Sequence, residues 1–178
     1  SVVVSVLARM VFDYAIWSTA SQGQPGYVPM FRYSLFAQHF MPTLLALSPF
    51  GLLFDSPEYL IVLQTLFHAV AAFLLYRFAV RHVSPPVAMA LMVAFLLSRR
   101  SHSAVSSYFY IESAEPLLVL GALLAWSSCG RIAFWLLVVA ALGCKEDVAI
   151  YVGAFGLMLA VTGRDRPLGF ATMAVAAA

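Results

Sequence analysis

Residues 59–80 read YLIVLQTLFHAVAAFLLYRFAV, an apolar run whose sole formal charge is Arg77, near its end. A helix needs roughly 20 predominantly apolar residues to cross a bilayer, and this run supplies them. Its start is signalled by Ser56 as N-cap, Pro57 at the first helical position and Glu58 in the first turn. The stretch predicts a membrane-spanning helix, and with it an all-α fold.

The flanking sequence repeats the pattern. Ser84-Pro85-Pro86 opens a second helix that runs to about Leu97. Further helices are predicted from about Ala114 to Trp126, between Arg131 and Lys145, from Val148 to Thr162, and from Leu168 to Ala178. Composition agrees, with 63% hydrophobic and 10% charged residues, against about 25% charged in a soluble domain. The chain reads as a polytopic transmembrane helical bundle, a single transmembrane domain over residues 1–178. Its ends look like cuts through helices: SVVVSVLARM opens as the tail of an apolar segment, and LGFATMAVAAA stops inside one. We therefore expect the N-terminal part of a longer multi-pass protein. The opening residues lack the charged start and cleavage site of a signal peptide. A net charge of +2 and the absence of a basic run argue against a nucleic-acid partner. Cys129 and Cys144 are predicted at opposite ends of one helix, about 22 Å apart at 1.5 Å per residue, too far to bond.

With the first helix taken to end near Met10, successive loops alternate sides. One side holds Arg77, Arg81, Arg131, Arg164 and Arg166 against a single acid, Asp165. The positive-inside rule makes that side cytoplasmic. The other side holds Asp13, Asp55, Glu58, Glu112, Glu115, Glu146 and Asp147. Its first loop, Asp13 to Glu58, is long. The middle of that loop, FMPTLLALSPFGLLF, is apolar but broken by Pro42 and Pro49, which predicts short interfacial or re-entrant helices.

The candidate site residues follow from this sorting. Asp13, flanked by Phe12, Tyr14 and Trp17, reads either as a general base or metal ligand at the mouth of the bundle or as a solvated helix end. His39 reads as a ligand or proton carrier, or as an interfacial histidine. Gln64 and His68 share a helix face and read as interhelical hydrogen-bonding groups. Arg99 and Arg100 lie on the acidic side, against the usual trend, and suit a phosphate or pair with Glu112 or Glu115. Lys145-Glu146-Asp147 stands between two apolar runs and contains the chain's one lysine. Acids there suit a helix start; with the lysine they suit a phosphate and a metal.

Five segments carry a family resemblance: FDYAIW (12–17), QHFMPTLLALSPFGLLF (38–54), LIVLQTLFHAVAAFLLYRFA (60–79), FYIESAEPLLVLGALLA (109–125) and KEDVAIYVGAFGLML (145–159). In order and over nearly the whole chain, they resemble the bacterial and archaeal membrane proteins called domain of unknown function 2079. That family in turn resembles the GT-C glycosyltransferases, multi-spanning enzymes that use polyprenyl-phosphate-linked sugars. The resemblance implies an enzyme in the cytoplasmic membrane of a prokaryote. Its active face would be extracytoplasmic and its partners the bilayer and a polyprenyl-phosphate sugar donor. It assigns the acid of the first outer loop, Asp13, as the catalytic residue. Glu112 and the Lys145 group match the family's other polar motifs. We accordingly expect His39, Arg99, Arg100 and Lys145 to bind substrate. Glu112, Glu146 and Asp147 are expected to hold a divalent cation, Mg or Mn. Tyr110 stands where the family's Phe-His-Pro-Glu type sequence has histidine, which removes one ligand from a metal site there. The alternatives are a transporter or flippase of lipid-linked sugars, and a non-catalytic membrane protein.

Overall fold

A computed structural model describes residues 2–39, 41–54, 58–99, 101–102, 109–128 and 130–177, with the backbone alone for residues 2–10 and 51. Asp55, Ser56, Pro57, Arg100 and Cys129 lie outside the described residues. The described residues are mostly helical.

The first helix, α1, runs from Val2 to Gln22, well past the expected end near Met10. Residues 11–22 contain neither Gly nor Pro, and one carboxylate does not stop a helix that has no breaker. The stop comes at Gly23, in the left-handed region at φ 62°. Asp13 is therefore a mid-helix residue, not the start of a loop.

The segment after α1 is built of short pieces. Two-residue strands β1 (Tyr27–Val28) and β2 (Tyr33–Ser34) pair antiparallel, Tyr27 opposite Ser34. A 3-10 turn at Leu35–Ala37 and a two-turn 3-10 helix at Pro42–Leu47 follow, then a one-turn helix α2 (Phe50–Leu53). The prolines do break the apolar stretch into short helices, as Pro42 and Pro49 predict. The segment is pinned to a distant helix: Thr43 donates its hydroxyl to Ala140 O (2.7 Å) and its N–H to Gly143 O (2.9 Å).

The remaining helices are α3 (Glu58–Ala79), α4 (Pro85–Leu97), α5 (Glu115–Ser127), α6 (Arg131–Leu142), α7 (Val148–Thr162) and α8 (Arg166–Ala176). Among the described residues, α3 alone is long and apolar enough to cross a membrane; α4, α6 and α7 are shorter apolar helices. The α7 boundaries match the sequence expectation. Gly163, at φ 70°, ends α7 as a left-handed cap.

Two apolar cores organise these elements. One joins Ala15 and Ile16 of α1 with Leu44, Leu60, Phe109, Ile111 and Cys144. The other packs Ala122 of α5 with Phe134 and Val138 of α6, Val152 and Leu159 of α7, and Leu168 of α8. Helices α7 and α8 meet backbone to backbone. A Cβ on Gly156 would lie 2.8 Å from Gly169 O, and one on Gly169 would lie 2.7 Å from Gly156 O. Small residues permit that approach.

Side-chain contacts sort the turns into two groups, as the charge pattern predicts. Arg81 donates to Ser127 Oγ at 2.6 Å, and Arg131 meets Asp165 at 3.3 Å, so the arginine-bearing turns converge. Lys145 meets Glu112, and His39 meets Glu146, so the acid-bearing segments converge at the other end.

Candidate functional site

The Lys145-Glu146-Asp147 turn occupies the gap between α6 and α7. Its carbonyls accept the first bonds of α7, from the N–H groups of Val148, Ala149 and Ile150. Acids are favoured in such a first turn by the exposed amide dipoles. Asp147 is the N-cap residue, yet its side chain makes no capping bond. Its carboxylate is left to line a cavity.

That cavity, of about 730 Å³, is bounded by Lys145, Asp147 and Tyr151 on one side and by Glu112, Ser113 and Glu115 on another. Gln64 and His68 of α3 form its inner wall, with Phe95, Ser98 and Ser101 beside them. Lys145 Nζ lies 3.3 Å from Glu112 Oε1. Partial burial pulls the Lys145 pKa down. The hydrogen bond and charge of Glu112, with Asp147 and Glu115, more than offset this, and the net shift is upward. The second oxygen of Glu112, Oε2, is buried with no hydrogen-bond partner among the described residues. A buried carboxylate oxygen left so is costly, and a donor from a ligand would relieve it.

The other candidates stand apart from this lining. His39 Nδ1 lies 2.8 Å from Glu146 Oε1, both half exposed. That bond, together with a backbone contact of its own, holds the Glu146 carboxyl below its ordinary range. Asp13 lies against Tyr59 of α3. The Tyr59 hydroxyl is buried and interacts with the Asp13 carboxylate without a hydrogen bond of full geometry. Phe12, next to Asp13, packs edge-on to Phe109 and Tyr110. Asp13 thus borders the segment that carries Glu112 but is not part of the cavity wall. Arg99 is exposed and does not line the cavity either.

The expected cation ligands do not assemble. Glu146 is turned to His39, Glu112 to Lys145, and no group of three His, Cys, Asp or Glu among the described residues is arranged to hold a metal ion. Glu112 and Asp147 share the cavity wall, and Glu146 stands apart from it.

The sequence missed part of the wall. Among the described residues, His68 Nδ1 meets Gln64 O of its own helix at 3.0 Å, and its ring stacks on Phe95. Gln64 and His68 are also buried residues of the cavity wall, 0% and 5% exposed. Tyr151 carried a signal that was available, since it is four residues beyond Asp147 and so shares its helix face. Tyr110, also in the wall, carried no signal beyond its place in the family motif. Tyr151 also borders a smaller apolar pocket of about 210 Å³, with Val119, Leu123, Val152 and Phe155. A polar chamber and an apolar one therefore meet at one side chain.

No curated protein and no solved structure matches the chain. A family model described as "Predicted membrane protein (DUF2079)" matches residues 10–178. Its span takes in every cavity residue and both converging groups of turns, and the chain belongs to this family of predicted membrane proteins.

Proposed function

We propose that the protein is a membrane-embedded glycosyltransferase of GT-C type, a polytopic bundle in the cytoplasmic membrane of a prokaryote. It transfers a sugar from a polyprenyl-phosphate donor on the extracytoplasmic face. The observation that carries the reading is the Lys145–Glu112 pair in the wall of the 730 Å³ cavity, with Glu112 Oε2 lacking a hydrogen-bond partner among the described residues. An ammonium suits a phosphate oxygen, and a carboxylate oxygen suits a sugar hydroxyl. The adjoining apolar pocket suits the lipid part of such a donor.

In the proposed step the acceptor hydroxyl oxygen attacks the anomeric carbon of the donor sugar. The bond from that carbon to the phosphate oxygen breaks, and its electron pair leaves with polyprenyl phosphate. Lys145 stabilises the developing charge on the phosphate. Asp13 takes up the acceptor's proton. Arg99, Arg100 and His39 are assigned to donor and acceptor positioning.

A second reading, transport or flipping of a lipid-linked sugar, is favoured by the cavity's depth. Gln64 and His68 lie about 9 and about 15 Å along α3 from Glu58. The charged wall residues, however, all come from turns or first helical turns at one end, which favours an enzyme working at one face. The test is glycolipid turnover and donor binding by the full-length protein in membranes. Lys145→Met should lose both. Asp13→Asn should lose turnover and keep donor binding. Normal turnover in both variants overturns the transferase reading. Movement of intact lipid-linked sugar across the membrane without cleavage replaces it with the transport one.

A further inference from the structure

The opposite end of the bundle holds a second polar cavity, of about 430 Å³, where three turns meet. The α3–α4 turn contributes His82, the α5–α6 turn Ser127 and Arg131, and the α7–α8 turn Arg164 and Asp165. Trp126, Phe134 and Leu168 supply apolar wall, and Phe134 and Leu168 are buried.

Its charges are not balanced. Asp165 is the one acid in the wall, and it is committed twice. Oδ2 meets Arg131 at 3.3 Å, and Oδ1 accepts from Leu168 N at 3.4 Å, capping α8. Arg164 makes no hydrogen bond or ion pair among the described residues, and its side chain is exposed. Arg81, close by, gives its Nη1 to the hydroxyls of Ser127 and Ser128, neutral partners that leave its charge uncompensated. In the wall itself two guanidiniums, Arg131 and Arg164, face one carboxylate, a charge of 2 − 1 = +1 before His82 is counted, and Arg81 adds a further cation beside it. The Arg131–Asp165 pair is 68% exposed on the arginine side, so water screens it and an incoming anion can compete for the guanidinium.

We propose that this cavity is a binding site for a phosphate ester, with the forked guanidiniums of Arg131 and Arg164 as its principal donors. Guanidinium matches phosphate with paired charge-assisted hydrogen bonds. The tryptophan and apolar wall favour a phosphate that carries a hydrophobic body, as an anionic lipid headgroup does, over the free ion. The site is independent of the Lys145 cavity and of any reading of its chemistry.

The experiment uses the full-length protein in neutral detergent. Dioleoylphosphatidylglycerol or dioleoylphosphatidylcholine is titrated in, and lipid adducts are counted by native mass spectrometry; inorganic phosphate is added as a competitor. Phosphatidylglycerol should bind at least roughly tenfold more tightly than phosphatidylcholine, and R164Q should weaken it by about tenfold, the loss of one charge-assisted donor pair. R131Q should act in the same direction. R77Q removes the same charge at the same end, but Arg77 lies over the Phe73 ring and outside the cavity, so it should leave binding unchanged. Displacement by inorganic phosphate at millimolar levels identifies phosphate itself as the ligand; resistance to it identifies the lipid headgroup. Equal binding of the two lipids, no loss in R164Q, or an equal loss in R77Q overturns the proposal. R164Q changes an exposed side chain with no partner among the described residues, so a folding defect is not expected to obscure the result.

Discussion

His39 Nδ1 and Glu146 Oε1 stand 2.8 Å apart, tying the segment after α1 to the turn that starts α7. The pair is exposed, so its energetic weight is small. Its electrostatic direction is clear, because the bond holds the Glu146 carboxyl below its ordinary value of 4.5. A depressed carboxyl contributes stability above the unfolded value and loses it as pH falls through the folded one. The tie should therefore persist from neutral pH to about 4.5 and release below it. His39→Ala should move the Glu146 titration upward, toward the ordinary range, read by carboxyl NMR or infrared difference spectra. An unchanged midpoint would show that the pair does not form in solution.

Glu112 raises the Lys145 pKa. Glu112→Gln removes the largest upward influence on the lysine and leaves burial to pull its pKa down. The free-amine fraction at pH 9 should rise, and acylation of Lys145 should quicken several-fold. Peptide mapping reads this site without ambiguity, since the chain has one lysine. Slower acylation in the variant would contradict the pairing.

Gly143 sits where Thr43 crosses the end of α6. A Cβ there would collide with Thr43 Oγ1 and come within 3.3 Å of Pro42 Cγ. Gly143→Ala should cost about 1–3 kcal/mol, the usual range for overpacking, and lower the thermal midpoint of the purified protein. Combining it with Thr43→Ala should recover part of the loss, because the colliding hydroxyl is gone. Two additive losses would place the strain elsewhere.

Cys144 should be inert while the protein is folded. Burial, then the charges of Glu115 and Glu112, push its thiol up to about 12 from 9.0. The thiolate fraction at pH 8 falls by about a thousandfold for such a shift, and the thiolate is the reactive form. Maleimide labelling, mapped by mass spectrometry, should be slow in the native protein and fast after denaturation. Rapid native labelling would mean that α6 opens at its Lys145 end.

Much of the fold was legible where a breaker or a cap coincided with a change in polarity. Val148 to Thr162 is such a case, since Asp147 precedes it and Gly163 can take a positive φ. The length of the first helix was not legible in Asp13, because the residue able to stop the helix is Gly23. A charge informs about solvent, whereas termination is a matter of backbone. The sorting of Arg81, Arg131 and Asp165 to one end, and of Glu112 and Lys145 to the other, was legible because alternation follows from counting helices. The pairing of His39 with Glu146 was not, because a contact between distant segments leaves no local pattern. The joining of Gln64 and His68 to the Lys145 cavity was hidden for a related reason. A buried polar face looks the same in sequence whether it meets another helix or a chamber.

The Thr43 bonds have a consequence for biogenesis. They close a loop of 97 residues, from the segment after α1 to the last turn of α6. A ribosome adds about 5–20 residues per second, so roughly 5–20 s pass between synthesis of Thr43 and of its partner. For that interval the segment between α1 and α3 has no anchor on α6, while α3, α4 and α5 are made. The loop that borders the candidate site therefore settles last among the parts it touches, and its order reports that the later helices have arrived.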